Sequence, residues 1–408
     1  MIKFIKNTFI IFFILIIFTS KGFSQKSIII FKTDYSNNYM NYAIYDLIIK
    51  NIFLYSNLKI INSHSNYSSY NKIKSQIKKI TINNNANISI AYQIQNFKNG
   101  ILINYIIFDN EKPNEWIEKS AYSKEEDLFF SINKILKDIY EISKIKNKIT
   151  YIKEKDYISL LGYYSQKIIL TNNEDNIYKL FYDFHKDNIY FNIDYLEYLT
   201  DKSDRTSVDI INGLIKNMQN YINKKKNHYY LYSLGCMHYG KYKVNVILSD
   251  IEASIENYNK ALKLKNNYYK YYYRLANAYI LKNDYDNAIK YYEESIKLNE
   301  YDINIIKEFV SLLKRDINKN GNEVISYLKK IIEINKNDEE ALEEISKLYE
   351  KIGDYDNALI YYNKLFEVIN YNLYIINNET KDADAYDRYI FKRNSIKLNI
   401  ESLKNKIF

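Results

Sequence analysis

The sequence predicts an α+β amino-terminal domain followed by an all-α helical-repeat solenoid that ends in a capping helix. Three observations carry this. Asp284–Ala288 and Asp354–Ala358 both read Asp-Tyr-Asp-Asn-Ala, seventy residues apart and inside the same helical pattern. Fixed-period self-similarity of this kind signals stacked units that share one core. Ile88–Ile94 and Ile101–Ile107 alternate apolar with polar or small residues at period two, with the tight-turn dipeptide Asn99-Gly100 between them. Tyr386, Ile390, Ile396, Ile400, Leu403 and Ile407 form one stripe, as a helix covering the end of a stack requires.

The first element is a targeting segment. Lys3 and Lys6 precede an apolar run, Phe9–Phe18, and then Gly22-Phe23-Ser24. This pattern predicts a secretory signal over residues 1–24, cleaved before Gln25. An anchor would need about 20 apolar residues to span a bilayer, so no stable membrane span is expected after cleavage. The single cysteine, Cys236, is not at the cleavage site. Neither a lipid anchor nor an internal disulfide is therefore expected. Net charge is +9 over 408 residues, falling to about +6 once Lys3, Lys6 and Lys21 leave. Lys224-Lys225-Lys226 reads as part of a solvated loop, and no basic stripe accompanies a nucleic-acid motif. Nucleic acid is excluded as an expected partner.

Residues 25–148 follow the order β-α-β-α-β-β-β-α. Ser27–Lys32 is an apolar strand, and Asn38–Ser56 carries Met40, Ala43, Ile44, Leu47 and Ile48 at helical spacing. Leu58–Ile61 reads as a strand and Tyr70–Lys79 as a helix. The hairpin comes next, then a short strand near Trp116. Ser123-Lys124-Glu125-Glu126 has the form of a capping box opening a helix with Leu128, Phe129, Ile132, Ile135, Leu136 and Ile139 on one face. Through Ile28–Phe31, Ile88–Phe108, Trp116 and Asp127–Phe130, this domain resembles the amino-terminal domain of TolB-like proteins. The resemblance implies a domain that contacts other proteins.

Residues 149–227 are helical in period, with Leu161-Gly162 opening a degenerate unit. Residues 228–376 hold the clear repeats. Tyr269–Asp302 aligns with Glu339–Asn372: Leu275, Ala276 and Tyr279 match Ile345, Ser346 and Tyr349. Ala288, Tyr292, Ser295 and Leu298 match Ala358, Tyr362, Leu365 and Val368. Each unit is two amphipathic helices joined at Lys282-Asn283-Asp284 or Ile352-Gly353-Asp354, where Asn or Gly can take left-handed backbone. Ile303–Asp338 fits if its turn lies at Asn318–Gly321, with Val324, Leu328 and Ile331 in the core. Leu234-Gly235 begins a unit that ends in Ser254, Tyr258, Ala261 and Leu264, with roughly seven extra residues between its helices. Residues 383–408 form the capping helix.

These units resemble the tetratricopeptide repeat family, about 34 residues of helix–turn–helix, with small residues at the helix crossing. The resemblance implies a groove that takes a peptide or protein partner. Carried over, its lining is Tyr232, Cys236, Lys270, Tyr273, Asn277, Lys307, Ser311, Glu343 and Lys347. The subfamily that grips a C-terminal carboxylate uses Lys and Asn where Tyr232 and Cys236 stand, so that ligand is not implied.

Chemistry is sparsely represented. His64, His185, His228 and His238 are scattered, without a metal-ligand spacing. Cys236 and His238 are two apart and point away from each other on a helix. Glu125-Glu126 and Glu339-Glu340 sit at helix starts, where they complement the dipole. No catalytic residue, metal or cofactor is expected. The expectation is an exported, non-enzymatic scaffold of a bacterial cell envelope. The alternative is an accessory or regulatory subunit of an enzyme processing peptidoglycan or polysaccharide, with a pocket near Tyr151–Thr200.

Overall fold

The structure, a computed structural model, describes residues 26–31, 39–56, 58–61, 70–83, 85–97, 100–113, 116–124, 127–144, 178, 181–182, 188–218, 227–380 and 382–407. The signal segment, Glu125-Glu126, Leu161-Gly162, the Lys224–Lys226 run, His64 and His185 lie outside them. The chain divides into two compact units, Met1–Tyr271 and Tyr272–Phe408.

The first unit opens with β1 (Ser27–Phe31), α1 (Tyr39–Tyr55), β2 (Lys59–Ile61), α2 (Tyr70–Asn83), β3 (Ile88–Phe97), β4 (Gly100–Asp109), β5 (Trp116–Ser123) and α3 (Leu128–Ile142). This is the order read from the sequence. The sheet runs β2-β1-β3-β4-β5. β1 is parallel to β2 and β3, whereas β3, β4 and β5 are antiparallel neighbours. Ser27–Phe31 is buried along its whole length, which is why it reads as continuous rather than alternating apolar sequence. α2 lays Tyr70, Ile73, Ile77 and Ile80 against Ile29, Phe31, Ala91, Ile106 and Phe108 on one face. On the other face, Tyr105 Oη donates to Asp138 of α3 at 2.6 Å. Lys119 of β5 pairs with the same carboxylate at 2.7 Å.

One local expectation fails here. Ser123 is the last residue of β5, paired with Ile101, and its Oγ accepts from Ser131 Oγ at 2.9 Å. α3 starts at Leu128 after Asp127, without a side-chain cap. Strand pairing to β4 took the serine that the capping box would have used.

The unit continues with α4 (Ile189–Lys202), α5 (Arg205–Met218), α6 (His228–Asn245), α7 (Leu248–Leu264) and the start of α8 (Tyr269–Leu281). α1 is tied to these helices by polar contacts. Lys50 pairs with Asp194 at 2.8 Å, and Asn51 Nδ2 donates to Tyr190 Oη at 3.1 Å. Phe53 meets the rings of His228, Tyr229, Tyr268 and Tyr271. Buried Lys265 donates from Nζ to the carbonyls of Phe53 at 2.6 Å and Ser56 at 2.9 Å, closing the end of α1.

The second unit holds the rest of α8, then α9 (Tyr285–Leu298), α10 (Ile303–Leu313), a 3₁₀ turn (Lys314–Asp316), α11 (Ile317–Ile334), α12 (Glu339–Lys351), α13 (Tyr355–Ile375), a π turn (Ile376–Thr380) and α14 (Ala383–Ile407). Ala276, Ala288 and Ser295, and likewise Ser346, Ala358 and Leu365, are fully buried. Asp284, Asp302, Asp338 and Asp354 each cap the following helix by accepting a backbone N–H. Asn283 and Gly353 take left-handed backbone, with φ of 60° and 83°. α14 buries Ile396, Ile400 and Leu403 of the predicted stripe, while Tyr386 is exposed.

Two turns differ from expectation. Residues 318–321 belong to α11, and the chain turns at Lys314–Asp316 instead. Asp316 caps α11, and Asn320 Nδ2 reaches back to the Leu313 carbonyl at 3.1 Å, so the asparagine run closes one helix from inside the next. The extra residues between Gly235 and Ser254 are also helical, because α6 ends at Asn245 and α7 starts at Leu248. No Gly or Pro lies between Lys241 and Asp250 to stop propagation.

The turn that remains there is strained. Val246 sits at φ 55°, ψ 35°, a region β-branched residues rarely occupy. Val246→Gly is expected to raise stability by about 1 kcal/mol, since Gly takes that conformation without a Cβ penalty. Urea unfolding at matched conditions would measure it, and a lower midpoint would count against the turn geometry.

Candidate functional site

The predicted groove residues separate by burial. In the first unit, Tyr232 is fully buried, with its ring near those of Tyr258 and Tyr271 and its Oη donating to Glu197 at 2.6 Å. Cys236 is buried beneath the Tyr258 hydroxyl, which lies 3.5 Å from Sγ. Both are core residues, which corrects their assignment to an open groove. Lys270 is half-buried, with Nζ 3.6 Å from the other oxygen of Glu197. Glu197 thus serves two predicted positions at once, and no sequence signal marked it.

In the second unit the first helices of successive repeats are cross-linked at their exposed edge. Tyr273 Oη donates to Glu308 Oε1 at 2.9 Å. Tyr292 Oη lies 2.5 Å from Asn277 Oδ1 and 3.0 Å from Glu308 Oε2. One hydroxyl proton serves one acceptor, so the pair is best satisfied with the Asn277 amide turned to donate to Tyr292. Lys307 reaches Glu340 at 2.8 Å and Asp338 at 3.0 Å. Burial opposes its charge, but the bonds to Glu340 and Asp338 win and its pKa is raised. Glu343 pairs with Lys347 and stands 3.5 Å from Lys392 of α14. Burial favours its neutral form, but the two lysines outweigh that and hold its carboxyl below the usual range. Ser311 is exposed.

The space beside these residues is a pair of adjoining recesses between α10, α11 and α12. One has a volume of about 270 Å³, with Lys307, Ser311, Lys314, Glu340 and Glu344 around Val310, Leu328, Ile331 and Ala341. The second, about 410 Å³, shares Lys314, Leu328 and Glu344 and adds Lys347 and Lys351 above Ile317, Val324 and Leu348. Lys314 is held by Glu344 at 2.6 Å. The arrangement is an apolar floor with a rim of lysines and glutamates, in which Lys307, Lys314 and Lys347 are already paired. Of the predicted residues, Lys307, Ser311 and Lys347 line it.

His238 Nδ1 is 3.0 Å from Asp250 Oδ1, and His228 Nδ1 is 2.7 Å from Tyr271 Oη. Among the described residues no group of His, Cys, Asp and Glu could hold a metal ion. Among the same residues no helix is long and apolar enough to cross a membrane.

Paired helices with small residues at their crossings, stacked by period, make this a helical-repeat protein. Within it, residues 269–302 and 339–372 match models described as tetratricopeptide repeat. Solved structures similar to the chain include one titled "Crystal structure of MamA", 22% identical over 41% of this chain and 93% of that one, with a TM-score of 0.32. Another is "Crystal structure of YrrB: a TPR protein with an unusual peptide-binding site", 16% identical over 46% and 89%, with a TM-score of 0.29. No curated protein matches the chain significantly.

Proposed function

We propose that the chain is an exported, non-enzymatic adaptor of a bacterial cell envelope that binds a peptide or protein partner along its tetratricopeptide repeats. The observation that carries the binding reading is the apolar recess, rimmed by lysines and glutamates, between α10, α11 and α12. Its floor suits apolar side chains, and its rim of mixed charge suits a segment that also carries charged side chains. The amino-terminal α+β domain, read as TolB-like, would dock a second envelope component. Export rests on the basic start, apolar run and Gly22-Phe23-Ser24 of the sequence. Amino-terminal sequencing of the envelope form should begin at Gln25.

The test is an in-cell crosslinking pull-down of the tagged chain from the envelope fraction, read by mass spectrometry. Wild type should recover a few stoichiometric proteins. Lys347→Glu combined with Lys351→Glu should lower that recovery about tenfold while the melting temperature is retained, because both lysines are exposed on the rim. Unchanged recovery would overturn the recess as the binding surface. Turnover of a glycan by the purified chain would replace this reading with that of an enzyme subunit.

A further inference from the structure

The hairpin of α6 and α7 is built differently from the repeats that match the family. α6 has 18 residues and α7 has 17, against 13 and 14 in α8 and α9. The additional residues flank the turn, so they carry it about 6 Å farther along the helix axes than a regular unit would. At its end stand Val246, Ile247 and Leu248, which are 70%, 51% and 58% exposed. Three consecutive apolar residues facing water are unusual at a turn.

Two of these residues, Val246 and Ile247, are also poor choices for the fold. Val246 occupies left-handed backbone, where the equivalent turns use Asn283 and Gly353. Ile247 is the N-cap of α7 and makes no side-chain cap, where Asn227, Asp284, Asp302, Asp338 and Asp354 cap their helices. Asparagine is abundant in this chain, so the turn had an easy alternative. Local propensity broken without a gain inside the fold points to a contact outside it. Along the tip segment itself the charge is of one sign, with Asp250 and exposed Glu252 following on α7. Lys241 and Lys243 lie in the last turns of α6, and no acidic residue occurs from Tyr239 to Ser249. The first acid, Asp250, is held by His238 at 3.0 Å.

We propose that this tip dips into the surface of an anionic lipid bilayer, with Val246, Ile247 and Leu248 below the headgroups and Lys241 and Lys243 against their phosphates. Apolar residues with flanking lysines bind such surfaces by summing apolar burial and attraction to anionic lipid. Three side chains make a weak, reversible contact, which orients a scaffold without fixing it. The inference does not use the groove and stands or falls separately from it.

The test labels full-length Ile247→Cys with an environment-sensitive fluorophore. Cys236 is buried and leaves the label to position 247. Vesicles of phosphatidylcholine with about a quarter phosphatidylglycerol should shift the emission to the blue, and brominated acyl chains should quench it. Phosphatidylcholine alone should do neither. In a second variant, Val246→Gly with Leu248→Asp should fold at least as stably and co-sediment with the anionic vesicles about tenfold less. Unshifted emission overturns the proposal, including the case where the chain sediments while its label stays in water, which would place binding at the Phe9–Phe18 run. A shift produced by a protein in the absence of vesicles overturns it equally.

Discussion

Gly235→Ala should lower the unfolding midpoint of the chain, although alanine is the better helix former. A Cβ at Gly235 would stand 2.4 Å from both Cδ1 and Cε1 of Tyr258. That ring is fully buried, close to Tyr232, with its hydroxyl over Cys236, so it has nowhere to retreat. Ser254 Oγ donates to the Gly235 carbonyl at 2.9 Å, which draws the two helices together at this point. Overpacking costs about 1–3 kcal/mol, whereas the gain in helix propensity is about 1 kcal/mol. A net loss of about 1 kcal/mol is expected, and Gly235→Val should lose more. The matched units carry Ala276 and Ser346 at this position opposite Tyr292 and Tyr362, so only the α6–α7 pair is too close for a side chain. Gly321→Ala is the counter-experiment, because a Cβ there meets nothing within 4 Å. It should be neutral or stabilising, and a loss at Gly321 equal to that at Gly235 would remove the steric explanation.

The second large effect is on pH dependence. Burial pushes the Lys265 ammonium from its ordinary value of 10.5 down to about 7. Burial, followed by the charge of Lys265, pushes neighbouring His228 down to about 3. Both are cations with depressed folded values, so the unfolded chain binds more protons between pH 7 and 10.5 and between pH 3 and 6.5. Stability therefore rises with pH across each window. For Lys265 the upper bound is ~5 kcal/mol. The Phe53 and Ser56 carbonyls and the Phe53 ring, 4.9 Å from Nζ, favour the ammonium and reduce this to about 2 kcal/mol. Urea midpoints should climb between pH 7 and 9.5, stopping short of tyrosine titration. In Lys265→Met that climb should vanish, with a loss of about 1–3 kcal/mol at pH 9.5 from two carbonyls left unmet. An equal climb in the variant would assign the effect to other groups.

The sequence revealed what has a period. Ala276, Ala288, Ser346 and Ala358 are small because two helices cross there, and that constraint recurs each unit. The order of the sheet domain was equally legible, because Ile88, Ile90, Ile101 and Ile103 must share a buried face. Lys265 was not, because its partners lie 209 and 212 residues away and a lone lysine carries no pattern. Glu197 and Glu308 were missed for the same reason. Tyr232 was misplaced because position within a repeat fixes direction only where neighbouring units are regular, and α6 and α7 are not.

The bonds between first helices have a mechanical consequence. Tyr273–Glu308, Lys307–Glu340 and Lys314–Glu344 join residues 35, 33 and 30 apart, so each spans about one repeat. The apolar seams between units hold regardless of ionic strength, but these outer ties weaken as salt screens them. The second unit is thus a spring with two components in parallel, one fixed and one set by the electrolyte. Its stiffness along the recess belongs partly to the solution in which it works.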